Sequence, residues 1–417
     1  MAAIPPSSEE IPAAMGEPGA SAMRPGRAFV VLLSALVAFQ AISTDLYLPS
    51  LPAITADLGT DIEAVQLTLS LFLLGFAFGQ LFWGALSDRF GRRPVLLAGL
   101  GAYLLSTLAC ALAPSIGLLI LFRLLQGASA CAAVVLGRAV VRDLWAPQEA
   151  ARVLSYLASA MALAPMAGPI LGGWLTERWG WRANFYALAL FGVLVLAASA
   201  RLLAETNRLR DPDALQPRRL LGGCRIILES PVFRAHALAA AFVYSGIFTF
   251  ISGSSYVLIE LAGLGPRFYG LAFATAAFGY MLGGFAGGRL NRRLAIRGLL
   301  LGGSTITVAA AGLGFLLALR VPPGFVAIVL PVFLFMFGAG LVLPAAMAGA
   351  IGPFPERAGA ASALLGFIQL VVAAAVGVVV AALYDGTARP MTGILALAAL
   401  ATLAASFIAA RPREAPP

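Results

Sequence analysis

Lysine is absent from this chain. All 28 basic residues are arginine, set against 19 acids, and 417 residues include one histidine and three cysteines. So little histidine and cysteine leaves no metal-ligand set, and Cys110, Cys131 and Cys224 show no spacing that suggests a disulfide. Charged residues make up only 11%, whereas 60% are hydrophobic and the mean hydropathy is +0.92. No soluble core needs that much apolar surface. HExxH, CxxC, Gly-x-Ser-x-Gly and P-loop patterns are all missing, which argues against a membrane-embedded enzyme and against ATP as the energy source. No catalytic group set and no cofactor is expected.

Apolar runs of about 20 residues, each long enough to cross a ~30 Å hydrocarbon layer, recur along the sequence. Twelve are read, near 28–50, 65–86, 95–113, 116–138, 153–175, 184–203, 236–260, 268–288, 298–319, 324–347, 359–381 and 391–410. The 45 glycines and 26 prolines would break a soluble helical protein, but they suit packed membrane helices. The run after Arg24 and Arg27 resembles a signal peptide. No convincing cleavage site follows it, so it is read as the first span.

Even parity puts both termini on one side. Twenty-two arginines fall on that side and five on the other, with Arg123 inside a span. The net charge of +9 and pI near 10.1 therefore reflect the positive-inside rule rather than nucleic-acid binding, and both termini are expected in the cytoplasm. Residues 1–23 read as a disordered tail, 24–204 and 234–410 as six-helix bundles, 205–233 as a cytoplasmic linker and 411–417 as a closing tail. Repetition supports the division. Gly84-Ala-Leu-Ser-Asp-Arg-Phe-Gly-Arg-Arg93 and Gly284-Phe-Ala-Gly-Gly-Arg-Leu-Asn-Arg-Arg293 share one Gly and three Arg at an offset of 200 residues.

A lone charge inside a span costs ~2.5–3.5 kcal/mol on insertion scales, so it is kept for a task or paired. Asp45 is such a charge. If the first helix runs on to Pro52, its carboxylate lies ~10 Å inside the outer end, and Arg123 lies ~12 Å inside the same face. Matching depth makes them expected partners, with Asp45 carrying a proton and Arg123 either structural or modulating that acid. Gln126, three residues on from Arg123, extends the polar cluster, and Gln40 and Tyr47 extend it from the first span. An aromatic, aliphatic substrate cavity with Tyr244 and Phe248 of the seventh span is expected to suit amphiphilic molecules. Glu260 reads as an interfacial acid, and His236 as incidental.

Several stretches resemble one family in the right order. Gly84–Arg93 is similar to the loop between helices 2 and 3 of the major facilitator superfamily, LFRLLQGASACAA (121–133) to its helix 4 signature, and APMAGPILGG (164–173) to its antiporter motif. STDLYLPSLP (43–52), FTFISGSSYVLIE (248–260) and FPERAGAASALLG (354–366) narrow the resemblance to the bicyclomycin-resistance (Bcr/CflA) family of drug:proton antiporters. It implies an all-α membrane fold of twelve transmembrane helices in two pseudo-symmetric bundles. Proton-coupled efflux of small drugs by a monomer in the inner membrane is implied as well. The alternatives are transport of a native metabolite such as a nucleobase, amino acid derivative or sugar, or an enzyme. The resemblance also implies that Gly84, Asp88, Arg89, Gly91, Arg92 and Arg93 form a cytoplasmic latch in the outward-open state. Gly288 replaces the acid in the second copy. Pro165, Gly168, Pro169, Gly172 and Gly173 are implied to bend the fifth span and limit leak, though helix packing explains them equally.

Overall fold

Within hydrocarbon every backbone polar group must find its partner inside the segment, so the apolar runs become helices. A computed structural model describes residues 26–207 and 210–411, with the backbone alone at positions 147, 151, 155, 158–162 and 217–221. The tail read over 1–23 and residues 412–417 of the closing tail lie outside the described residues.

The first half holds α1 (Arg27–Asp45), a short α2 (Leu51–Asp57), α3 (Ile62–Phe90), α4 (Arg92–Ala111), α5 (Ile116–Leu144), α6 (Pro147–Trp179) and α7 (Arg182–Leu202). A connecting helix, α8 (Pro217–Glu229), leads to α9 (Pro231–Ser255), α10 (Pro266–Leu290), α11 (Ile296–Arg320), α12 (Phe325–Ile351), α13 (Ala358–Ala382) and α14 (Arg389–Ala409). Among the described residues, eleven helical segments have the length and hydropathy to cross a bilayer. The twelfth crossing is α6, 33 residues long, between α5 and α7.

The two halves repeat one packing scheme. In the first, α3 and α4 pack on α5, and α4 on α7; in the second, α10 and α11 pack on α12, and α11 on α14. The halves meet reciprocally, α6 against α10 and α13 against α3, so the fifth crossing of each half packs on the second crossing of the other. The face carrying both ends of the described chain is called the terminal face below, and the opposite one the distal face.

The linker read over 205–233 contains α8, and α9 begins at Pro231. The signal was present, since Leu220, Leu221, Cys224, Ile227 and Leu228 recur at helical spacing, and Ile227 is fully buried. The first span is also not one helix to Pro52. It stops at Asp45, passes through a 3-10 turn at Leu48–Ser50 and resumes as α2.

At the terminal face, Gly91 adopts φ 105°, a conformation open to glycine but strained for other residues, and lets the chain reverse between α3 and α4. Beside it the Glu205 carboxylate accepts the backbone N–H groups of Arg92 (2.8 Å) and Arg93 (3.2 Å), capping the positive end of α4.

Candidate functional site at the break in α1

Proline explains where α1 stops. In a continuous helix the N–H of residue 49 would donate to the Asp45 carbonyl; Pro49 has no N–H, and its ring crowds that carbonyl. The chain tightens instead, Tyr47 N–H donating to Thr44 O (3.2 Å) and Ser50 N–H to Tyr47 O (3.0 Å). Irregular backbone at membrane depth persists only where protein buries it, and residues 43–51 are all buried.

Asp45 is the last residue of α1. Its side chain is 4% exposed, yet it makes no hydrogen bond or ion pair among the described residues. Gly168 of α6 packs against it so closely that a Cβ there would lie 3.0 Å from the Asp45 Cβ. From the opposite half, Tyr244 of α9 and Tyr269 of α10 come within electrostatic reach of the carboxylate. Tyr244 also neighbours Tyr280 and meets the Gln40 side chain. Gln40, Tyr244 and Tyr280 remain partly exposed, so this group of polar side chains is not sealed.

Arg123 stands elsewhere, which corrects the expected pairing. No ion pair joins it to Asp45. It is fully buried inside the first half, with its guanidinium 4.4 Å from the ring centre of Tyr47, 4.3 Å from that of Phe72 and 6.0 Å from that of Phe185. Nη1 donates to Gln126 Oε1 (2.6 Å) and to Ser43 O (3.3 Å), while Nε and Nη2 have no partner. Arg123 bonds the Ser43 carbonyl and stacks on Tyr47, and the Ser43 side chain meets Tyr103 beside the same cage; Asp45 is two residues from each, and side chains two apart on a helix do not share a face. Matching depth therefore did not bring the charges together.

The other expected cavity residues divide between sites. Gln40 and Tyr244 join Asp45. Tyr47 belongs to the cage around Arg123, its hydroxyl 2.7 Å from that of Thr68. Gln126 belongs there too, donating to Thr107 Oγ1 (2.8 Å). Phe248 is buried against Gly377 and Ser70 at the seam between halves. Tyr269 and Tyr280 escaped notice because α10 comes beside Asp45 only in three dimensions, and Phe72 and Phe185 because aromatics are common in membrane helices.

The fifth-span glycines line close approaches. A Cβ on Gly172 would collide with the Leu46 carbonyl, and one on Gly173 with the Pro266 carbonyl of α10. Gly270 of α10 meets Pro169 and Ile170 in return. Pro165 and Pro169 both lie within α6 without ending it. On one side, then, α6 touches Asp45 and Leu46; on another, it touches the opposite half.

The distal face is bridged between halves by uncharged contacts. Ser255 Oγ donates to Leu48 O (2.7 Å), the Thr55 and Tyr256 hydroxyls lie 3.0 Å apart, and Ser252 Oγ donates to Gln66 Oε1 (3.4 Å). At the terminal face, Arg92 pairs with Asp88 and with Asp143 (2.9 Å) and donates to Ser87 Oγ (2.6 Å). Asn207 Nδ2 donates to Asp88 O (2.9 Å) and Arg93 Nη2 to Ala200 O (3.0 Å). Arg89 lies over the Phe90 ring, and Gly84 has only Val135 near it. Among the described residues, the hydrogen bonds of the 84–93 loop go to its own half and to the linker rather than to residues 231–411.

A family model described as the Major Facilitator Superfamily matches residues 33–378. The chain is 33% identical over 378 residues to an uncharacterized MFS-type transporter, YdgK, of Bacillus subtilis, covering 89% of this chain and 93% of the relative. It is 30% identical to the bicyclomycin resistance protein homolog of Haemophilus influenzae, over 92% of this chain and 96% of the relative. Multidrug resistance protein D of Escherichia coli is also 30% identical, over 82% and 85%. In fold, the chain is similar to a bacterial homolog of the human lysosomal transporter Spinster, solved inward-facing and unoccupied, with TM-score 0.68, 16% identity and coverage of 91% and 94%. The human organic anion transporter MFSD10 (TETRAN) gives TM-score 0.67 at 20% identity over 92% and 99%.

Proposed function

This chain belongs to the major facilitator superfamily, and we propose that it exports small amphiphilic drugs across the inner membrane in exchange for protons, with Asp45 as the proton-carrying group. The observation that carries this reading is a buried carboxylate with no hydrogen bond or ion pair among the described residues, set at a helix break and within electrostatic reach of tyrosines of the other half. An acid kept there for structure would be paired or hydrogen-bonded, because an uncompensated buried charge costs several kcal/mol (~3–5). An acid kept for exchange must be free to take up and release a proton. Discontinuous membrane helices are common settings for coupling-ion sites.

The arginine excess on the terminal face supports placing that face in the cytoplasm. Drug then enters from the cytoplasm or inner leaflet while Asp45 is ionised, taking up the polar edge offered by Gln40 and Tyr244. After the halves rock about their seam, protonation of Asp45 from outside removes the charge and favours release. The neutral acid returns and gives its proton to the cytoplasm. Arg123 acts as a fixed internal cation that holds α1, rather than as the counter-ion of Asp45. Relatives named for bicyclomycin and multidrug resistance support this cargo class.

Everted vesicles test the reading. Asp45→Asn should retain drug binding or downhill equilibration and lose accumulation driven by a pH gradient. Undiminished uphill accumulation would remove Asp45 from the mechanism.

A further inference from the structure

The break in α1 leaves carbonyl groups on either side of Asp45, and each side is held by a different half of the protein. Before the acid, Ser43 O has lost the helical donor that Tyr47 N–H would supply, since Tyr47 bonds Thr44 instead. Arg123 replaces it from within the same half (3.3 Å). After the acid, Leu48 O would look to residue 52 for its helical donor, but that residue is Pro52. Leu48 O takes a turn bond from Leu51 N–H and a second from Ser255 Oγ of the opposite half (2.7 Å). Both Leu48 and Ser255 are fully buried, and α9 widens into a π-turn over Tyr256–Leu261 immediately beyond Ser255. Such turns often mark functional irregularities. The Thr55–Tyr256 contact extends the same attachment outward.

The Arg123 attachment joins parts of one bundle and survives rocking. The Ser255 attachment crosses the seam and must break when the distal face opens. We propose that Ser255 is a positioning residue for Asp45: by holding the Leu48 carbonyl it fixes segment 46–50 while the distal face is closed, and its release on opening lets that segment turn and changes what the carboxylate faces. The groups that surround Asp45 fit a change of partner. Among the described residues, Tyr244 of α9 and Tyr269 of α10 lie within electrostatic reach of it, Gly168 of α6 packs against it, and Arg123 is bonded instead to the Ser43 carbonyl. A segment with no proline would close its own carbonyls and have no use for a donor from the other half. The proposal rests on Asp45 being the proton carrier, and its test separates the two.

Spectroscopic probes on exposed distal positions, Ala56→Cys in α2 and Arg267→Cys in α10, report distal opening in the full chain reconstituted in lipid nanodiscs, with Cys224→Ser removing the half-buried native thiol. Loss of one neutral hydrogen bond should raise the open-to-closed ratio about fivefold in Ser255→Ala. It should also displace the pH midpoint of the distance change by more than Ser252→Ala, which removes a seam hydrogen bond away from segment 46–50, does for the same change in ratio. Ser255→Thr, which keeps the hydroxyl, should restore both. Wild-type ratio and midpoint in Ser255→Ala would overturn the proposal even where Asp45→Asn has lost all pH response. A pH response that persists in Asp45→Asn would instead overturn the proton-carrier reading, and with it the link to Ser255.

Discussion

Replacing Asp45 by Asn should leave the folded protein as stable as before or more so, which is the opposite of what a structural acid would do. Asp45 has no hydrogen bond or ion pair to lose, and Asn has nearly the same shape, so the contact with Gly168 survives. What disappears is the charge. An ionised Asp at the centre of a membrane helix costs ~2.5–3.5 kcal/mol; at the end of α1 the cost is smaller, so a gain of up to ~2 kcal/mol is expected where the wild-type group is ionised. A paired buried acid would show a loss of ~3–5 kcal/mol on the same substitution. The measurement is thermal unfolding of the purified transporter in one lipid or detergent across a pH series. The advantage of Asn should be greatest at alkaline pH and fade as pH falls, because the neutral acid and the amide are then nearly equivalent. Loss of stability in Asp45→Asn at every pH would mean that the carboxylate has a stabilising partner, and the case for a free acid would fail.

Other outcomes follow from the same geometry. Gly172→Ala drives a Cβ into the Leu46 carbonyl and should cost ~1–3 kcal/mol in the same unfolding assay, whereas Gly84→Ala, with only Val135 at 3.9 Å, should stay within ~0.5 kcal/mol. Arg123→Lys keeps the charge but loses the flat face stacked on Tyr47 and Phe72, so a loss of ~2 kcal/mol is expected; stability equal to wild type would refute the cage. Glu205→Gln should weaken the cap on α4 by ~0.3–1 kcal/mol, with the difference shrinking as salt is added. Burial pushes the Cys224 thiol above its usual range, while Cys110 and Cys131 are buried in the bundle. Maleimide should therefore label Cys224 alone in the folded transporter, faster as pH rises; labelling of all three at equal rates would contradict the packing.

The chain's residues alone determined that it crosses a membrane about twelve times in two repeated halves, because hydrocarbon enforces apolar runs of fixed length and the two Gly-Arg loops recur at one offset. They also singled out Asp45, since a charge in such a run stands out whatever the fold. Three-dimensional packing decided what that charge faces. Depth along a span is additive and can be counted, which is why the sequence sets Asp45 and Arg123 at similar expected levels. Direction around the helix axis is not fixed by depth, and a proline four residues on reorients the chain. Arg123 therefore turned inward to Tyr47, Phe72 and a backbone carbonyl, while Asp45 lies against Gly168 of α6 within electrostatic reach of tyrosines of α9 and α10. The cross-half bond from Ser255 to Leu48 was beyond reach for the same reason. It joins residues 207 apart in the chain, and only the docking of one bundle on the other brings them together.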